Sequence, residues 1–314
     1  MKVSIIIVSF NAKDELAECL NSLRTQDFKD KEVIVLDNGS LDGTRQMVKE
    51  SYPEVKLIAY KYNVGFAVGA NRAAEQAQGE ILALMNQDMV ADSKWIGNLI
   101  KRLEEPEVGT TTSKIILQDD TTKINSLGTF VSVLGFSGSI GDGNNLTDIP
   151  ETEPFAPCGG AMAIRKSLWD KLGGFYEPFW MYEDDVDLGW RVRNLGYRNV
   201  LASEAIVYHK YRIARSDNKY YFINRNKLWS YWKNARTVDL AWLFPIGNCF
   251  SAALTFGFML QLKFGRAIAT MRGVLDSLKK LPSREGIKKP VPFLGLFDTI
   301  KIAGRKFKKH FGGG

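Results

Sequence analysis

The chain has 314 residues, 45% hydrophobic and 25% charged, a composition that excludes disorder and fibrous architectures and suits one elaborated α/β domain with an appendage. Its net charge of +7 is uneven: from Lys263 onward there are 13 Lys+Arg against 3 Asp+Glu, so the body is mildly acidic and offers no basic face to nucleic acid. Three scattered cysteines (Cys19, Cys158, Cys249) make neither a disulfide framework nor a zinc ribbon, and they fit a reducing compartment.

The first apolar run is too short for a secretory signal, so the chain is expected to begin in the cytosol. Residues 3–9 (VSIIIVS) are β-branched throughout, as a strand buried on both faces requires. Residues 13–26 space Leu16, Cys19, Leu20 and Leu23 as a helix does. Strands are then expected at 31–37, 55–60 and 80–86, with helices at 41–51, 66–78 and 92–104. This alternation predicts right-handed βαβ units, hence an α/β fold with a mostly parallel central sheet flanked by helices. After about residue 110 the alternation lapses, and 137–154 reads as a polar, glycine-rich loop. The α/β domain is expected to cover 1–235.

Residues 236–314 read as a separate helical region. An uncharged stretch between Asp239 and Lys263 is long enough to span a membrane, though Pro245, Gly247, Asn248, Ser251, Thr255, Gly257 and Gln261 dilute it. The segment after it is amphipathic and basic. That order reads as an interfacial anchor on an anionic membrane surface. A single span, a buried helical hairpin and a homo-oligomer interface remain open.

In a parallel α/β sheet, ligands bind at the carboxyl ends of the strands. Ser9 and Asn11 follow the first expected strand, Asp37 the second, and Asn86, Gln87 and Asp88 the fourth. No glycine-rich phosphate loop follows the first strand, so a diphosphate would be held through a divalent cation on an acid rather than by backbone amides. Asp88 taken singly reads first as a turn or N-cap residue before the helix at 92–104, and together with Asp37 as part of a site; Asp37 also reads as a cap for the helix near Leu41.

The segments VSIIIVSFNA, VIVLDNGSLDGT, NVGFAVGAN, MNQD and GGFYEPFWMYEDDVDLGWRVRNLGY, in that order, resemble glycosyltransferase family 2, in particular its rhamnosyltransferase-like branch. The resemblance implies a GT-A fold (the Rossmann-like nucleotide-diphospho-sugar transferase fold), a divalent cation (Mg2+ or Mn2+) and inversion at the anomeric carbon. Asp37 then matches the acid that reads the donor's nucleobase, with Ser9 and Asn11 lining the same pocket. Gly65 and Asn71 match the NxGxxxxxN segment that packs the next helix against the nucleotide, and Asn86-Gln87-Asp88 stands in place of the metal-binding triplet. That leaves Asp88 as the main protein ligand.

The same resemblance makes Asp185 the general base. Asp184 stands where the family has Glu, and Glu183 is an extra acid, so a Glu183–Asp184 pair is the alternative. Asp187 and Arg191 read as a structural ion pair on one helix face. His209 matches a histidine that approaches the metal or pyrophosphate, against the plainer reading of a surface or core histidine, and Arg225 is placed facing the donor phosphates. The implied partners are a dTDP- or UDP-linked sugar donor, with dTDP-rhamnose the donor expected from the branch, and a glycan or lipid-linked glycan acceptor of a surface polysaccharide. The expected location is cytoplasmic, peripheral or monotopic at the inner face of the cell membrane. A nucleotidyltransferase and a silent sugar-nucleotide-binding scaffold are the rival classes.

Overall fold

Val3–Ser9 forms β1, and its side chains enter two cores by turns: Val3, Ile5 and Ile7 face one layer and Ile6 the other. Two-sided burial explains why the run is apolar throughout. The computed structural model describes residues 2–133, 135–147, 153–210, 217–284 and 286–295. The basic run from 296 onward lies outside them. The chain divides into two units, Met1–Thr129 with Ser139–Ala214, and Phe130–Gly138 with Arg215–Gly314.

In the first unit β1 is followed by α1 (Lys13–Arg24), β2 (Lys31–Asn38), α2 (Thr44–Ser51), β3 (Lys56–Tyr60), α3 (Phe66–Glu75) and β4 (Ile81–Met85), in the expected alternation. These strands stand in the order β3-β2-β1-β4, all parallel. Next come β5 (Met89–Ala91), α4 (Trp95–Lys101), β6 (Val108–Leu117) and β7 (Ile124–Ser126). A short pair, β8 (Thr129–Val131) and β9 (Ser137–Ser139), precedes β10 (Ala161–Arg165), α5 (Lys166–Leu172), α6 (Asp184–Asn194) and β11 (Arg198–His209). The sheet continues β4-β10-β6-β11-β5, with β10 antiparallel to both neighbours and β5 antiparallel to β11. So the sheet is parallel on one side and mixed on the other. The apolar-run criterion misses β6 because Thr110, Thr111, Thr112 and Ser113 are all fully buried within it. The expected 137–154 loop begins as β9, and its residues 148–152 lie outside the described residues.

The second unit contains α7 (Asn218–Asn234), α8 (Thr237–Leu260) and α9 (Phe264–Lys279). The expected domain limit at 235 sets α7 with the sheet, whereas by contacts α7 groups with the C-terminal helices. The reason is packing: Trp229 of α7 donates to the Ser277 carbonyl of α9 at 3.0 Å, and Ser251 of α8 donates to Asn224 of α7 at 2.8 Å. α8 is long and apolar enough to cross a membrane by length and composition alone.

Asn199, at the start of β11, ties three segments of the first unit together. Its amide donates to the carbonyls of Phe155 (2.6 Å) and Gly189 (3.0 Å), and its oxygen accepts from Thr110 Oγ1 (2.7 Å), all buried. Asn199→Leu would strand these partners, and a buried group left unsatisfied costs about 1–3 kcal/mol. Urea unfolding followed by circular dichroism should show about 3 kcal/mol of lost stability.

Candidate active site

The carboxyl ends of β1, β2 and β4 lie side by side, as the strand order requires, and short polar bridges lock them. Gln87, after β4, accepts from the Phe10 N–H at 2.8 Å. Asn11, with φ of 47°, takes its N–H to Ser40 Oγ and accepts from the Leu41 N–H, both at 2.9 Å, joining the loops after β1 and β2. Asn38 holds the loop before α3 by donating to Asn63 Oδ1 and accepting from the Val64 N–H.

Ser9 and Asp37 are register partners on β1 and β2 and are fully buried. Asp37 Oδ2 accepts from Arg45 Nε at 2.5 Å and from the Ser40 N–H at 3.3 Å. Asp37 Oδ1 and Ser9 Oγ have no hydrogen-bond partner. Two adjacent buried polar atoms left unsatisfied at strand ends are costly, and such exceptions mark sites completed by a ligand or solvent. Asp37 caps no helix: α2 starts at Thr44, whose N–H is taken by Asp42. Arg45 escaped the sequence reading, since one arginine on an exposed helical turn carries no spacing signal.

Asp88 likewise caps nothing, because α4 begins at Trp95 and Asp92 occupies the turn before it. It sits in the turn between β4 and β5. There β5 pairs antiparallel with the end of β11, His209 opposite Met89, and this register brings His209 Nε2 to 3.3 Å from Asp88 Oδ2. His209 Nδ1 lies 2.7 Å from Asn125 Oδ1 of β7. An amide oxygen can only accept, so Nδ1 donates to Asn125, and Nε2 is the ring nitrogen that faces Asp88 and is available to a metal as a neutral ligand. Adjacent ligands of an octahedral Mg2+ or Mn2+ stand about 3 Å apart, so a carboxylate and a neutral imidazole at this spacing fit a divalent cation. Among the described residues no group of three His, Cys, Asp or Glu could hold a metal ion unaided.

The acids of α6 are reached through the segment entering β10. Gly160 accepts from the Asn86 N–H at 2.8 Å, and the Gly159 N–H donates to Asp185 Oδ2 at 2.8 Å. A Cβ on Gly159 would press on Asp185, and one on Gly160 would displace the Met89 methyl and crowd Asn86. Before α6, Trp180, Tyr182 and Glu183 all have φ between 62° and 67°. Non-glycine residues persist there only when their surroundings hold them, and they cluster at functional sites. The Trp180 ring occupies the space a Cβ on Gly65 (φ 89°) would need, and the Trp180 carbonyl accepts from the Ala67 N–H. Asn71 both donates to and accepts from the Phe175 backbone at 2.9 Å, so Gly65 and Asn71 seat the loop that carries the acids. Of the aromatic run 175–180, Phe175 and Phe179 are core and Trp180 is half-buried.

Asp184 is buried and Asp185 half-buried. Burial raises the Asp184 carboxyl well above its ordinary value, and the neighbouring charges of Asp185, Glu183 and Asp187 add to the effect. Asp185 is also raised by burial, with the N–H groups of Gly159 and Val186 opposing. Burial, then the charge of Asp185, pushes the Cys158 thiol up to about 12, so Cys158 stays protonated beside these acids. Asp187 and Arg191 form the expected buried ion pair at 2.7 Å, and Arg191 also binds the carbonyls of Leu172 and Gly174. Arg225 belongs to the second unit, where its guanidinium lies over the rings of Tyr221, Phe222 and Trp229.

Residues 4–172 match the sequence profile described as Glycosyl transferase family 2. An O-antigen biosynthesis protein of Myxococcus xanthus is 29% identical over 229 residues, covering 69% of this chain but only 18% of that protein. The N-acetylglucosaminyl-diphospho-decaprenol L-rhamnosyltransferase of Mycobacterium tuberculosis is 27% identical over 231 residues, 65% of this chain and 75% of that protein. Among solved structures, a Pyrobaculum calidifontis mannosyltransferase with GDP-Man and Mn2+ superposes with a TM-score of 0.58 at 18% identity, covering 88% of this chain and 87% of that one. Residues 1–349 of S. aureus TarS with UDP-GlcNAc give 0.62 at 19% identity, covering 90% and 82%. The fold is GT-A.

The raised carboxyl of Asp184 sets a pH dependence. Between the ordinary value of 3.8 and its raised value, the folded chain holds a proton the unfolded chain has released, so stability falls as pH rises through that window. Asp184→Asn removes this loss. Thermal melts should show the variant several degrees more stable at pH 7, with the gain shrinking toward pH 4.

Proposed function

This chain belongs to glycosyl transferase family 2, and we propose that it is an inverting, cation-dependent hexosyltransferase moving a sugar from a nucleoside-diphosphate donor to a hydroxyl of a glycan or lipid-linked glycan. The observation that carries the reading is the backbone at 158–160, which is bonded on one side to the end of β4 beside Asp88 and on the other to Asp185. On this reading one backbone segment joins the turn that carries Asp88 to the proton acceptor.

Asp37 Oδ1 and Ser9 Oγ would accept from and donate to the nucleobase, satisfying the two buried atoms that lack partners. Asp88 and His209 would hold a divalent cation together with the donor's diphosphate, and the cation, when bound, offsets the charge of the departing diphosphate. Asp185 takes the proton of the acceptor hydroxyl as its oxygen bonds the anomeric carbon, while the bond from that carbon to the diphosphate oxygen breaks on the opposite face. One displacement inverts the centre. The raised carboxyl of Asp185 brings its affinity for a proton closer to neutrality, which suits a general base. The donor in this reading is dTDP-rhamnose, ahead of UDP-linked hexoses, a choice supported by the L-rhamnosyltransferase among the relatives, with the reaction on the cytoplasmic side in surface polysaccharide synthesis.

Release of nucleoside diphosphate from dTDP-rhamnose, UDP-GlcNAc and GDP-mannose, in Mn2+ and in EDTA, tests the proposal. One donor should be turned over, and EDTA should slow it at least about tenfold. Asp185→Asn should cut transfer by about 100-fold or more while donor Kd changes less than about twofold. A dead Asp184→Asn beside an active Asp185→Asn would move the base one residue upstream.

Asn125 is a positioning residue for His209. Asn125→Leu frees the imidazole to adopt the other tautomer, and loss of such a partner lowers metal affinity about 10–100-fold. Calorimetry should show weaker nucleoside-diphosphate binding in Mn2+ and unchanged binding in EDTA.

A further inference from the structure

The helical unit turns large apolar side chains outward and small ones inward. α9 buries Ala267, Thr270, Gly273 and Ser277, and exposes Phe264 (57%), Ile268 (51%), Met271 (45%), Leu275 (50%) and Leu278 (49%). The exposed set recurs every three or four residues, which is one stripe of a helix. The small inward face has a packing reason: a Cβ on Gly273 would strike the Tyr221 backbone of α7, so the two helices meet at backbone distance. α8 repeats the arrangement. Gly247 and Ser251 are buried, while Val238, Ala241, Pro245, Cys249, Ala252, Phe256 and Met259 form an uncharged exposed stripe along the same helix. Small residues within and large apolar residues without is the packing expected where the surroundings are lipid.

We propose that the outward stripes of α8 and α9 sit in the surface of an anionic bilayer, with α9 lying in the interfacial plane. Charge selects this occupant. Arg272 and Lys279 border the α9 stripe on its solvent side, with Asp276 behind them paired to Lys279 at 2.7 Å, and Lys263 and Lys280 flank the helix, so the border keeps a net positive charge; all four basic residues are exposed. No acidic side chain lies in either stripe. Such a border matches anionic headgroups, whereas a second copy of the chain would oppose it with the same positive charge. The inference does not depend on the chemistry proposed for the acids of α6.

Flotation of the full chain with phosphatidylcholine vesicles, with and without phosphatidylglycerol, tests it. The chain should float with the anionic vesicles, and raised salt should loosen but not free it, because screening acts on the charges and not on apolar burial. Ile268→Glu with Leu275→Glu should cut the floated fraction at least about fivefold, and Arg272→Gln with Lys279→Gln should cut it on anionic vesicles alone. All four positions are exposed, so the variants should keep the parent's thermal melt and its nucleoside-diphosphate release. Failure of the parent to float with anionic vesicles would overturn the proposal, as would flotation of the Glu variants equal to the parent. Light scattering that shows a dimer split by the Glu variants, with vesicles ignored, would assign the stripes to a second copy instead.

Discussion

The antiparallel insertion of β10 between β4 and β6 is the constraint on which the site depends. A strand running against its neighbours must be entered from the end where the parallel strands finish, so the chain at 158–160 crosses the region where ligands bind in such sheets. Two glycines there let the backbone approach Asn86 and Asp185 closely. The antiparallel β5–β11 ladder works the same way at the far edge of the sheet, carrying His209 back to Asp88. Residues more than a hundred positions apart in the chain are thus placed by main-chain pairing rather than by flexible side chains.

Around this frame the structure accepts local costs. Three residues before α6 hold positive φ, the acids of α6 crowd together, and two polar atoms at the ends of β1 and β2 stay unpaired. Each is unfavourable alone. The buried Asp187–Arg191 pair, with Arg191 bound to two carbonyls, and the Asn71 bridge to Phe175 fasten the surrounding loop. Costs concentrated in one place and supports arranged around it are what a preorganised site requires.

Much of the first half of the fold was legible because β1, β2 and β4 are buried on both faces and so read as unbroken apolar runs. β6 was not, since a buried Thr-Thr-Thr-Ser segment has no hydrophobic signature. Ser9, Asp37, Asp88 and the α6 acids could be picked out by their places at strand ends and in one dense cluster. Asn125 and Arg45 could not, because each is a single polar residue in a polar stretch and gains meaning only from a partner distant in sequence. The grouping of α7 with α8 and α9 was not legible for a related reason: α7 looks like part of the sheet domain in composition, and only its packing on α8 and α9 separates it.

The central claim is that Asp88 and His209 hold a cation jointly with a nucleoside diphosphate. Electron paramagnetic resonance of Mn2+ titrated into the protein, with and without dTDP, UDP or GDP, tests it most directly. The account predicts weak Mn2+ binding alone and at least about tenfold tighter binding with the preferred nucleotide, because two side chains leave most of the coordination shell to the diphosphate. Mn2+ affinity unaffected by every nucleotide, or unaltered by Asp88→Ala, would contradict it.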